Sequence, residues 1–144
     1  MAATLALGVG QAQESYFGVG GTVVTNFAGG AAPLLGLQLG GPVADDLELR
    51  GTLDTLIFLS NLGLELLYTF EVSPDVKGYA GGGGDFVYLF LPDLLSEGGF
   101  ALHGTAGLEL RTGTVGFYGE VQPYTLVVAP TLALKARTGV NFYF

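Results

Sequence analysis

The residues that can do chemistry in this chain are few, and most are charged and set at even spacings. Glu48, Arg50 and Asp54 fall in LELRGTLDT, Glu109 and Arg111 in LELRT, and Lys135 and Arg137 in LALKARTG. Glu65, Lys77, Asp85 and Glu120 stand singly in stretches of the same kind. Residues two apart on an extended strand share a face, so each group points one way from its strand. These eleven positions hold six acids and all five bases of the chain, which nearly neutralise one another. The chemistry they suggest is pairing, not catalysis. A buried charge stripped of its partner costs ~3–5 kcal/mol, whereas the intact pair contributes little net stability. One contact is expected between Glu120 and Lys135, facing each other across the last two strands around a turn near Leu126 to Val128.

Other chemistries fit less well. His103 is the single histidine, and a hydrolase built on it would need a nucleophile and an orienting acid. Ser15, Ser60, Ser73 and Ser96 all fall at segment ends, turns or loops, so His103 reads as a hydrogen-bonded interior histidine and no catalytic residue is assigned. Neither Glu48 with Asp54 nor Asp45 with Asp46 has the spacing of a metal site or a glycosidase pair. Asp93 and Glu97, in the longest loop, are the only acids placed to hold Ca²⁺; a solvated loop is the preferred reading, and no metal is assigned. Gly81 to Gly84 is not a phosphate cradle, because no helix and no Walker lysine follow it. The chain has no cysteine and a net charge of −8, which exclude disulfides and thiolate metal sites and argue against nucleic acid as a partner. No cofactor is expected.

The elements that must position these charges are strands. Eight alternating segments are separated by turn chemistry: 15–24, 33–40, 47–55, 62–70, 77–88, 100–111, 115–122 and 132–144. Ser73-Pro74-Asp75 and Thr112-Gly113-Thr114 are the sharpest turns. Hydrophobic residues make up 49% of the chain and charged residues 12%, about half the usual ~25%. Mean hydropathy is +0.52, yet no apolar run reaches the ~18 residues of a spanning helix. A chain this apolar without such helices satisfies its backbone in lipid only as a closed barrel. Eleven charges are too few to solvate the outside of a soluble barrel, so they are assigned to the lumen and the aliphatic face to lipid. The fold class expected is therefore all-β, a closed eight-stranded antiparallel up-and-down transmembrane β-barrel. Tyr16, Tyr68, Phe70, Tyr88, Phe90, Phe100, Phe142 and Phe144 lie near strand ends and read as aromatic girdles at the membrane boundary.

Residues 1–12, MAATLALGVGQA, read as the remnant of a secretory signal, with Gly10 and Ala12 suited to cleavage before Gln13, the alternative being a part of the folded barrel. Residues 13–144 then form a single barrel domain.

With Val140, Phe142 and the last residue, Phe144, alternating on the final strand, the chain resembles the small eight-stranded outer-membrane β-barrels of the OmpA, OmpX and opacity-protein type. The resemblance spans about Ser15 to Phe144 and is architectural. It implies that Val140, Phe142 and Phe144 form the signal read by the barrel-assembly machinery. It also implies outer-membrane lipid as the surrounding partner. The loops are short and apolar, unlike the long polar loops of adhesins in this group. The expectation is a monomeric, non-enzymatic structural protein of the bacterial outer membrane. The alternatives are a narrow low-conductance pore and a soluble lipocalin-like carrier of apolar ligands.

Overall fold

In a computed structural model, which describes residues 14–26, 30–56, 59–91, 94–127 and 132–144, the chain is built from eight antiparallel strands. They are β1 (Tyr16–Asn26), β2 (Gly30–Ala44), β3 (Leu47–Leu56), β4 (Leu59–Ser73), β5 (Val76–Leu91), β6 (Leu94–Thr112), β7 (Val115–Leu126) and β8 (Leu132–Tyr143). Each strand pairs with its sequence neighbours, and β1 pairs with β8, from Tyr16 opposite Tyr143 to Asn26 opposite Ala133. The sheet is thus closed and has no free edge. The shortest strand has 10 residues, within the ~9–11 that a tilted strand needs to cross a bilayer. The 12 residues at the start, read above as a signal remnant, lie outside the described residues.

Most strands run further than alternation alone suggests. The segment Leu89 to Gly99, expected as the longest loop, is largely ladder: Tyr88 faces Gly98 and Leu89 faces Glu97. Gly98 and Gly99 imitate a turn in sequence, but a wall that closes in an apolar surrounding must keep its backbone groups paired. Asp93 and the side chain of Glu97 lie outside the described residues, and with them the Ca²⁺ reading. Similarly, β7 continues through Pro123, which sits opposite Leu134, and β2 starts at Gly30, ahead of Pro33.

One end of the barrel is closed by three short turns, at Asp45-Asp46, Pro74-Asp75 and Gly113-Thr114. Gly113 has φ of 64°, a left-handed conformation that glycine adopts without steric cost. Each turn is tied to the strand beyond it: Thr69 N donates to Asp46 O (2.9 Å), Arg111 N to Asp75 O (2.8 Å) and Tyr143 N to Thr114 O (2.8 Å). Phe144 N donates to Ser15 O (3.0 Å), which continues the pattern across the seam where the two ends of the chain meet.

The outer wall is apolar. Leu35, Leu39, Leu62, Leu64, Leu66, Leu102, Leu108, Leu110 and Val121 are all exposed. Phe17, Tyr68, Phe70, Phe117, Phe142 and Phe144 are exposed aromatics on strand segments at the turn end, and Phe86 and Phe100 are exposed on the loop-end half, packed edge to face at 6.0 Å. Tyr16 departs from the girdle expected of it. It is 2% exposed, faces the lumen and packs on Tyr143 at 5.2 Å, because the polar phase of β1 carries its phenol toward Glu48. The side chain of Phe90 lies outside the described residues. A soluble carrier would place its oily face inside, so this polarity overturns the lipocalin-like reading.

Candidate functional site

The interior is where the charges are. Each strand sends alternate residues inward, so β3 contributes Arg50 and Asp54, β4 Glu65, β5 Asp85, β6 His103, β7 Glu120, and β8 Lys135 and Arg137, all buried. These eight side chains form a closed ring in which acid and base alternate. Arg50 Nη2 lies 2.6 Å from Glu65 Oε1 and 2.8 Å from Glu120 Oε2. The Arg50 guanidinium makes its aligned hydrogen bond through Nε, to Glu65 Oε1 at 2.6 Å. Glu120 Oε1 accepts from Arg137 Nη1 at 2.8 Å, and Arg137 Nε reaches Asp54 Oδ1 at 3.3 Å. Lys135 Nζ is 3.2 Å from Asp54 Oδ2 and 3.9 Å from Asp85 Oδ2. His103 closes the ring, with Nδ1 2.7 Å from Asp85 Oδ2 and Nε2 3.1 Å from Glu65 Oε2.

Neutral groups fill the remaining valences. Thr22 donates to Asp54 Oδ1 (2.8 Å), Thr105 to Glu65 Oε2 (2.5 Å), Tyr79 to Glu120 Oε2 (2.7 Å) and Gln122 to Glu120 Oε1 (3.1 Å). A buried carboxylate that accepts several bonds is far less costly than one that accepts none.

The other charged positions form a second layer at the turn end. Lys77 Nζ lies 3.4 Å from Glu48 Oε2 and 3.5 Å from Glu109 Oε1, and 3.3 Å from the Tyr143 hydroxyl. Glu48 accepts from the Tyr16 hydroxyl, and Glu109 from Asn141 Nδ2 and the Tyr143 hydroxyl. Arg111 stands at the rim. Its guanidinium carbon lies 3.8 Å from the Tyr143 ring centroid, and it pairs with Glu14, which lies ahead of β1. Gln38 joins the layers: it accepts from Arg137 Nη1 (3.2 Å) and donates to Asn141 Oδ1 (2.6 Å).

Two features differ from the sequence expectation. Glu120 faces Arg137 in register, whereas Lys135 faces Gln122 and reaches across the lumen to Asp54 and Asp85. The expected Glu120–Lys135 contact is therefore replaced by Glu120–Arg137. The β7–β8 register is offset by two residues on β8 from the one assumed, which leaves each face unchanged. The second feature is a set of neutral members that the sequence reading did not assign, Thr22, Gln38, Thr105 and Asn141. Their signal was inward phase on their strands, available from alternation but hidden by the absence of charge.

The inner wall is bare where the charges need room. A Cβ at Gly36 would lie 3.0 Å from Asp54 Oδ1, and one at Gly107 would lie 2.7 Å from Glu120 Cβ. Gly83 has the clearest role. It sits between Glu65 on β4 and His103 on β6 in one row, and a Cβ there would come within 2.6 Å of Glu65 Cα. Its bareness lets side chains of two strands meet across the strand between them.

The arrangement pairs and fills. Both nitrogens of His103 face carboxylates, so neither is free to take a proton from a nucleophile. Val140 and Phe142 share the outward phase of β8, with Phe142 opposite Phe17 across the seam, and Phe144 follows the strand, exposed.

A closed eight-stranded antiparallel barrel with an apolar wall and a charge-filled lumen defines an outer-membrane type of β-barrel fold. No protein-family model matches the sequence, and no curated protein does. Solved structures share the fold. The N-terminal β-barrel domain of Pseudomonas aeruginosa OprF superposes with a TM-score of 0.71 at 19% identity, over 92% of this chain and 98% of that one. Pseudomonas aeruginosa OprG gives 0.65 at 14% identity, over 92% and 96%. Neisserial surface protein A gives 0.64 at 14% identity, over 91% and 96%.

Proposed function

We propose that the protein is an integral, monomeric structural component of a bacterial outer membrane, contributing to the integrity of that membrane without a catalytic site. The observation that carries this reading is the inversion of polarity: exposed aliphatic residues all round the wall, and a ring of eight paired ionisable side chains across the inside. The fold shared with OprF, OprG and NspA supports the same location. Lipid is the partner of the wall. Val140, Phe142 and Phe144 are the residues the assembly machinery would read during insertion.

An eight-stranded barrel encloses a space just wide enough for side chains. Here Arg50, Glu65, Glu120 and Arg137 meet across that space, which favours a plug over a channel. Purified protein reconstituted in planar bilayers is expected to give no stable unitary current. Reproducible unitary currents, altered by Arg50→Ala or Arg137→Ala, would establish the narrow-pore reading instead.

A further inference from the structure

We propose that His103 is a proton-dependent link in the lumen ring, present as the imidazolium when the ring is closed, so that loss of its proton opens the ring at one place and loosens β4, β5 and β6. The ring holds four carboxylates, Asp54, Glu65, Asp85 and Glu120, but only three permanent cations, Arg50, Lys135 and Arg137. Acid and base alternate without a break only if His103 is the fourth cation. The geometry agrees. Both ring nitrogens are within hydrogen-bond reach of a carboxylate oxygen, at 2.7 Å and 3.1 Å, and a carboxylate can only accept. A neutral imidazole donates from one nitrogen and turns a lone pair on the other acid.

The groups around His103 leave little slack to absorb that change. From β4, Glu65 also holds Arg50 and Thr105. From β5, Asp85 depends on the histidine: among the described residues its Oδ1 has no hydrogen-bond partner and its Oδ2 is otherwise met only by Lys135 of β8 at 3.9 Å. From β7, Tyr124 is the register neighbour. A neutral ring that keeps Nδ1–H on Asp85 therefore opposes Nε2 to Glu65 Oε2. The hydrogen bond that breaks is the one that spans Gly83 and ties β4 to β6.

The sign of the effect follows from proton counting. A solvated imidazole loses its proton near pH ~6.5, so above that the unfolded chain is neutral at this position while the closed ring retains the proton. Folding then takes up a proton, and stability falls as pH rises. Because the chain has one histidine, ring ¹⁵N spectra of labelled protein in detergent micelles need no assignment. At pH 7.5 both nitrogens are expected to show the protonated imidazolium signature; a neutral tautomer at that pH overturns the proposal. In parallel, the temperature at which the folded band disappears on a gel is followed from pH 6 to 9. Wild type is expected to lose thermal stability with rising pH and His103→Gln to show a flat profile. A flat wild-type profile, or the same slope in His103→Gln, overturns it. Should His103→Gln fail to fold, the spectra of the wild type still decide.

Discussion

Arg137 holds two carboxylates at once, Glu120 through Nη1 and Asp54 through Nε, as Arg50 holds Glu65 and Glu120. Replacement by methionine keeps much of the volume and removes one of the two cations on each acid, leaving Glu120 to Arg50 and Asp54 to Lys135 with an excess of buried negative charge, so Arg137→Met is expected to cost about 3–5 kcal/mol in urea titrations followed by gel mobility in detergent. Adding Glu120→Gln should recover part of the loss, since it removes the acid that the missing cation had balanced. The same cycle between Lys135 and Glu120, which are not paired, should show the weaker coupling. A stronger Lys135–Glu120 coupling would contradict the register of β7 and β8. What was legible here in advance was the face, not the partner. Period-two alternation put Lys135, Arg137 and Glu120 inside. Which of them meet depends on where the β7–β8 connection turns and on stagger around the closed wall, and neither is written locally.

At the scale of the element, β5 is the instructive strand. Its run Gly81 to Gly84 resists phasing from sequence because glycine marks neither face. With Lys77, Tyr79 and Asp85 inward, Gly83 points to the lumen and Gly84 to the outer wall. The two positions should therefore respond differently. Gly83→Ala drives a Cβ into the backbone of β4 at Glu65, and overpacking of that kind costs about 1–3 kcal/mol. Gly84→Ala meets only ordinary contacts, with Ala101 O at 3.7 Å, and should be neutral or slightly stabilising. Equal losses at both positions, measured by the same titration, would contradict the phase of this strand. Strand ends were less legible than strand faces. Gly98, Gly99 and Pro123 carry turn signals, but they lie in ladder because a closed wall pairs its backbone wherever a neighbouring strand is present.

For the molecule as a whole, the fold was legible because composition and period agreed. A chain with 49% hydrophobic and 12% charged residues, and among its described residues no helix long and apolar enough to cross a membrane, has one way to satisfy its backbone in lipid. The placement of all five bases on strands then fixed which side was in. The central claim is this inverted polarity, with an apolar exterior held shut by a charged interior. It is tested most directly by extracting the protein from membranes with and without detergent and running both fractions on a gel, boiled and unboiled. The account predicts that detergent is required and that the unboiled protein migrates faster, because SDS does not open the closed wall. A protein that stays in solution without detergent and migrates identically in both lanes would contradict it.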